Sequence, residues 1–185
     1  AVFLLSQRVA WRRVVVTGHS AGGQYTHRFA ATSPAQLELA HLRFRYVVAN
    51  PSTYLYLGPE RALPGGGFGL PDRAACPDYN EWHYGLENRN TYALRLTEAG
   101  IRDRLLGREV VYLVGTADLG TEALDMSCGA MLQGERRYPR GLTLFAYLEA
   151  LFPQHQHQIF EVAGVAHSSR GIYLSATGKQ VLFGW

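Results

Sequence analysis

Four apolar stretches punctuate the chain, with helix-like stretches between them. Arg13–Thr17 and Phe44–Asn50 are apolar without the alternation of a half-exposed strand, as in a parallel sheet covered on both faces. Glu109–Val114 and Gln158–Val162 read as two further strands. Helical stretches run over Gln24–Thr32, stopped by Ser33-Pro34, and from a Thr91 cap to Leu106, closed by Gly107. Thr121–Leu132 reads as partly helical and Gly141–Leu151 as a firmer helix. Ser168 or Ser169 is placed to cap a last helix over Arg170–Phe183. Ala1–Ala10 reads as the last turns of a helix whose start is missing. This alternation predicts one domain over residues 1–185, an α/β fold with a three-layer parallel sheet of about four strands flanked by helices.

One segment does not fit the alternation. From about residue 54 to residue 90 the chain is irregular, with several prolines, the run Gly65-Gly66-Gly67, and the aromatics Tyr54, Tyr56, Phe68, Tyr79, Trp82 and Tyr84. Loops of this length are functional excursions or linkers, and the aromatic content predicts a packed, lid-like insertion.

The candidate chemistry gathers at strand ends, where ligands bind in open parallel sheets. Val14-Val15-Val16-Thr17 runs into Gly18-His19-Ser20-Ala21-Gly22-Gly23, a strand, tight turn and helix start. That is the arrangement of a nucleophile elbow, with Ser20 exposed above the sheet edge. Gly18 and Gly22 are the positions where a side chain is expected to crowd the turn. The Ala21 N–H is expected to point at a developing oxyanion. Asp118 follows the third strand and His167 the fourth. Ser20 needs a base, and the base needs an acid to hold its tautomer, so His167 is the candidate base and Asp118 the candidate acid. Asp125 is the rival acid, further from its strand end. His19, inside the turn, is expected to point away from the nucleophile and pack. His27 and His41 lie on helix or helix-flank positions. His155 and His157 share strand-like spacing that could face a metal, but no cysteine or carboxylate cluster supports them, so no metal and no other cofactor is expected.

Composition narrows the classes. A net charge of +3 with scattered basic residues, Lys179 being the only lysine, leaves no nucleic-acid footprint. The apolar stretches are too short for a membrane span. Cys76 and Cys128 are either one disulfide, which fits an exported protein, or two buried thiols, which fit a cytoplasmic one.

The sequence resembles the α/β-hydrolase superfamily. Gly18–Gly23 resembles its esterase and lipase elbows, Val111–Asp118 its acid-bearing strand, and Val162–Ser168 its histidine loop. Asn50-Pro51-Ser52 and Cys76–Trp82 resemble a bacterial and fungal branch of such hydrolases. The resemblance implies a serine esterase with Ser20, His167 and Asp118 as triad and a small-molecule ester as substrate. It reaches only the last four strands of the usual eight, a truncated form of the fold. The loop that supplies the second oxyanion donor is not matched. The strand Arg13–Thr17, central in the full sheet, is here expected to be an open edge. An open edge invites pairing, so a homo-oligomer, or complementation by a missing N-terminal half, is expected. The competing reading is a truncated, non-catalytic module that binds a partner or small ligand.

Overall fold

A computed structural model describes residues 11–184, so the expected helix end at Ala1–Ala10 lies outside the described residues. The elements run β1 (Arg13–His19), α1 (Ala21–Thr32), α2 (Ala35–Glu38), β2 (Arg43–Ala49), β3 (Arg61–Ala62), β4 (Phe68–Gly69), a 3-10 turn (Ala93–Arg95), α3 (Glu98–Leu106), β5 (Val110–Gly115), α4 (Cys128–Met131), α5 (Arg137–Leu151), β6 (Gln158–Val162), α6 (Ser169–Leu174) and α7 (Ala176–Phe183). The main sheet has the order β1-β2-β5-β6, every pair parallel. β3 and β4 form a separate antiparallel pair.

The period of two along each strand sorts its side chains between two cores. Tyr46, Val48, Val110 and Tyr112 face a layer built from Ala30 and Ala31 of α1, Ile101 and Leu105 of α3, and Leu144 and Leu148 of α5. Their neighbours Val47, Ala49, Val111 and Leu113 face Ile172 of α6 and Val181 of α7. Both faces of β2 and β5 are therefore dry, which is why their sequences lack alternation. β1 pairs with β2 alone among the described residues, and its valines are only half-buried.

The layer under α1 holds a polar chain. The Leu55 N–H donates to His27 Nδ1 at 3.2 Å. A neutral His27 then carries its proton on Nε2 and donates to Tyr112 Oη at 3.0 Å. Tyr112 in turn donates to His157 Nδ1 at 3.0 Å, and His157 Nε2–H donates to the Leu105 carbonyl at 2.9 Å. Burial holds both histidines neutral: it depresses His27 well below its usual range and His157 to about 4. Nearby, Arg104 and Arg108 of the α3 end donate to the carbonyls of Thr32, Ala30 and Ser33. They satisfy the C-terminus of α1 and place positive charge at its negative pole.

The segment from residue 54 to residue 90 is tied down along its length. Tyr54, Leu55, Tyr56 and Leu57 are fully buried in the α1 layer. Arg61, also fully buried, donates to the carbonyls of Gly58, Glu60 and Tyr79 and lies 4.2 Å over the Tyr56 ring. A disulfide joins Cys76 to Cys128, the first residue of α4, across 52 positions. Closing a loop of that length stabilises the fold by about 4 kcal/mol in the chain-entropy account.

Two helices differ in capping or continuity from the sequence reading, and a third stretch is helical in part, as read. Thr91 caps nothing: Asn90 Oδ1 accepts from Ala93 N to close the 3-10 turn, Leu96 is extended, and Thr97 caps α3 by accepting from Gly100 N. The last helix breaks at Ser175, which caps α7 by accepting from Gly178 N. Of Thr121–Leu132 only Cys128–Met131 is helical. Ser52 Oγ accepts from Asp125 N and Tyr84 donates to the Asp125 carboxylate, so tertiary partners replace the helical ones.

Candidate active site

The carboxyl ends of β1, β2, β5 and β6 share one rim, and the elbow rises from it. Ser20 sits between β1 and α1 with φ 57° and ψ −121°. Holding a non-glycine residue there costs on the order of 1–3 kcal/mol. Two glycines make the turn possible. A Cβ on Gly18 would lie 2.3 Å from the Gly22 carbonyl group. The second tight position is Gly23 rather than the expected Gly22. A Cβ on Gly23 would lie 2.8 Å from the Ala49 oxygen, whereas one on exposed Gly22 would meet nothing within 4 Å. The helix rotates Gly23 inward, against β2, and Gly22 outward. The Ser20 N–H donates to the same Ala49 carbonyl at 3.0 Å and docks the elbow on the neighbouring strand. Ala21 opens α1 and is exposed, so its N–H is among the helix's unsatisfied donors.

His167 Nε2 lies 2.9 Å from Ser20 Oγ, and His167 Nδ1 lies 2.8 Å from Asp118 Oδ2. A carboxylate only accepts, so Nδ1 carries the proton and Nε2 is left to accept from the Ser20 hydroxyl. Asp118 is fully buried. The loops that carry the acid and the histidine are bonded to each other. Thr116 N donates to Val162 O, Ala117 N to Val165 O, and Gly164 N to Thr116 Oγ1.

Two further residues hold this rim, and neither is a candidate site residue in the sequence. Asn50, read there as the end of the second strand and the start of the Asn50-Pro51-Ser52 resemblance, is buried. It accepts from Gly115 N through Oδ1 at 2.8 Å and donates from Nδ2 to the Ala166 carbonyl at 3.4 Å. It thus straps the end of β2 to both the acid and histidine loops. Arg137, at the start of α5, is 1% exposed. Its Nη1 lies 3.6 Å from Asp118 Oδ1, and its Nη2 donates to the Glu122 carbonyl at 2.8 Å.

His19 packs, as expected inside the turn, but not away from the site. Its ring lies 4.6 Å from the His167 ring, because the β6–α6 loop lays His167 over the end of β1. Burial first, and the charge of His167 second, lower His19 to about 4, so a neutral ring faces the histidine at pH 7. Asp125 does not reach His167. Its carboxylate accepts from the Tyr84 hydroxyl at 2.7 Å and from Ser127 N at 3.0 Å. His157 is committed to the buried chain and His155 Nδ1 accepts from His157 N, so the pair shares no metal-facing surface. Among the described residues no group of three or more His, Cys, Asp or Glu side chains is arranged to hold a metal, and no helix is long and apolar enough to cross a membrane. A cavity of about 360 Å³ lies beside Asp118 and His167, bounded by Gly120, Glu122, Ala123 and Arg137. A second cavity opens on the outer face of α1 between Tyr25, Phe29, Trp82 and Tyr92.

No family model and no curated protein matches the chain. Solved structures do. A poly(aspartic acid) hydrolase-1 from Sphingomonas sp. KT-1 is 28% identical with a TM-score of 0.61, over 90% of this chain and 53% of that one. The poly(3-hydroxybutyrate) depolymerase LpqC from Bordetella parapertussis is 26% identical with a TM-score of 0.62, over 93% of this chain and 50% of that one. The chain spans about half the length of either structure, and both neighbours are hydrolases.

Proposed function

We propose that this chain, which carries the C-terminal half of an α/β-hydrolase fold, is the part of a serine hydrolase that holds the nucleophile, base and acid, and that its reaction is the cleavage of carboxylic esters. The observation that carries the reading is the line of hydrogen bonds from Ser20 through His167 to Asp118, at 2.9 and 2.8 Å, on a strained elbow. Ser20 Oγ attacks the acyl carbon while His167 Nε2 takes its proton. The electron pair of the carbonyl moves onto oxygen, where the Ala21 N–H and the positive end of α1 meet it. His167 then returns the proton to the leaving alkoxide. Water, deprotonated by His167, releases the acid from the acyl-enzyme. Asp118 keeps the proton on Nδ1 throughout and stabilises the imidazolium. No cofactor enters the scheme.

The valines of β1, only half-buried among the described residues, support a second component of the reading. A neighbouring chain, or the other half of the fold, covers them and brings the second oxyanion donor. The disulfide favours an oxidising compartment outside the cytoplasm. The two neighbours are named for polymeric substrates, so oligo(3-hydroxybutyrate) and poly(aspartate) belong in the assay beside short acyl esters.

The test is intact mass after exposure to a fluorophosphonate, on the wild type and on Ser20→Ala. A single adduct on the wild type, absent from the variant, is expected. A folded wild type that takes no adduct would overturn the reading and favour a binding module.

A further inference from the structure

Asp118 is buried with one oxygen on His167 and the other, Oδ1, without a hydrogen-bond partner among the described residues. A buried carboxylate in that state needs a compensating charge. The cation beside it is Arg137, itself 1% exposed, with Nη1 3.6 Å from Oδ1. Asp118 is also the only carboxylate within 4.0 Å of Arg137 among the described residues. The guanidinium is held from the other side: Nη2 donates to the Glu122 carbonyl, and Tyr138 N, the next residue of α5, donates to the Asp118 carbonyl. One side chain at the helix start therefore touches both the acid and the far end of the loop that carries it.

We infer that Arg137 is a positioning residue of the Ser20–His167–Asp118 site: its guanidinium, beside the otherwise unpartnered Oδ1 and bonded to the Glu122 carbonyl, fixes the carboxylate's aim at His167 Nδ1. The inference rests on the hydrolase reading of the site. Arg137 touches neither the nucleophile nor the reacting atoms and acts through Asp118. During the reaction positive charge forms on His167, and an Asp118 that is turned away cannot stabilise it. The 360 Å³ cavity bounded by Arg137, Glu122 and Ala123 gives the loop room to shift once the guanidinium is removed.

The test compares wild type, Arg137→Met, Arg137→Lys, Asp118→Asn and the Asp118→Asn/Arg137→Met double variant on an ester turned over by the wild type. Active sites are counted by fluorophosphonate titration, so that kcat refers to competent enzyme only. Arg137→Met is expected to lose about 100-fold in kcat per titrated site with KM changed little, the scale of a misplaced catalytic group. Arg137→Lys should recover part of the loss. In the Asp118→Asn background, Arg137→Met should add less than about 3-fold, because the group it acts through is already neutral. A merely structural arginine would instead lower the titrated fraction and leave kcat per site intact, and that outcome overturns the inference. Full, independent losses in the double variant overturn it as well. If Arg137→Met does not fold, the Lys variant carries the comparison: kcat per titrated site below wild type is expected in Arg137→Lys, and a wild-type value there would overturn the inference that the bond to Glu122 aims the acid. Activity surviving Ser20→Ala would instead bring down the hydrolase reading itself, which separates the two failures.

Discussion

Removing one oxygen from the buried polar chain should cost more than its size suggests. In Tyr112→Phe the ring stays in place, packed between His27 and His157, and only Oη is lost. The direction of each hydrogen bond decides which groups are orphaned. His27 Nδ1 is occupied by the Leu55 N–H, so its Nε2–H is left without an acceptor. His157 Nε2–H is committed to the Leu105 carbonyl, so its Nδ1 is left without a donor. Each buried orphan costs about 1–3 kcal/mol, which puts the total near 4 kcal/mol. For a domain of this size about 1 kcal/mol moves Tm by about 2–4 °C, so a fall of about 8–16 °C is expected by circular dichroism or calorimetry. Tyr56→Phe is the control. Tyr56 is equally buried, but its hydroxyl has no hydrogen-bond partner among the described residues, so its removal orphans nothing. A Tyr112→Phe protein that melts within about 2 °C of the wild type, or no lower than Tyr56→Phe, would refute that polarity.

The same histidines set a pH dependence. An unfolded histidine takes its proton as pH falls through about 6.5, while folded His157 resists until about 4. Stability is therefore complete above pH 6.5 and declines below it, by about 2 kcal/mol at pH 5 from His157 alone, with His27 adding in the same direction. Urea midpoints at pH 7.5 and 5, above the carboxylate range, measure this, and equal midpoints would contradict it. At the elbow, Gly22→Ala should leave Tm and fluorophosphonate labelling near wild type. Gly23→Ala drives a methyl against the Ala49 carbonyl and should cost about 1–3 kcal/mol and slow labelling. Equal effects in the two variants would refute the assignment of the tight position to Gly23.

The legible parts of the sequence are those whose constraints are local. β2 and β5 are buried on both faces, so Tyr46–Ala49 and Val110–Leu113 are apolar without interruption and stand out as strands. Ser20, Asp118 and His167 each lie within about five residues of a strand end, which makes them candidates on chain position alone. The rest depends on partners distant along the chain. Asn50 looks like any turn asparagine until Gly115 and Ala166 come to it. Arg137 sits in an Arg136-Arg137-Tyr138-Pro139-Arg140 run where nothing local marks a buried cation, yet both Arg137 and Arg140 are buried. Gly22 and Gly23 are adjacent and chemically identical, and only the facing Ala49 carbonyl tells them apart. Thr91 and Thr97 are both sound caps by local rules, and the bond from Ala93 N to Asn90 Oδ1 decides between them.

The strand order of the sheet also has a meaning in time. Each new strand is laid beside the one before it, β1-β2-β5-β6, so the fold can be assembled outward in the order in which a ribosome delivers it. The candidate nucleophile emerges before the candidate base, which follows 147 positions later. At about 5–20 residues per second that interval is on the order of ten seconds. Throughout it the nascent chain carries Ser20 with no His167 to take its proton. On the proposed reading, the competence to break a bond is thus withheld until β6 and its loop have been made, and a translation product that stops before them is chemically silent.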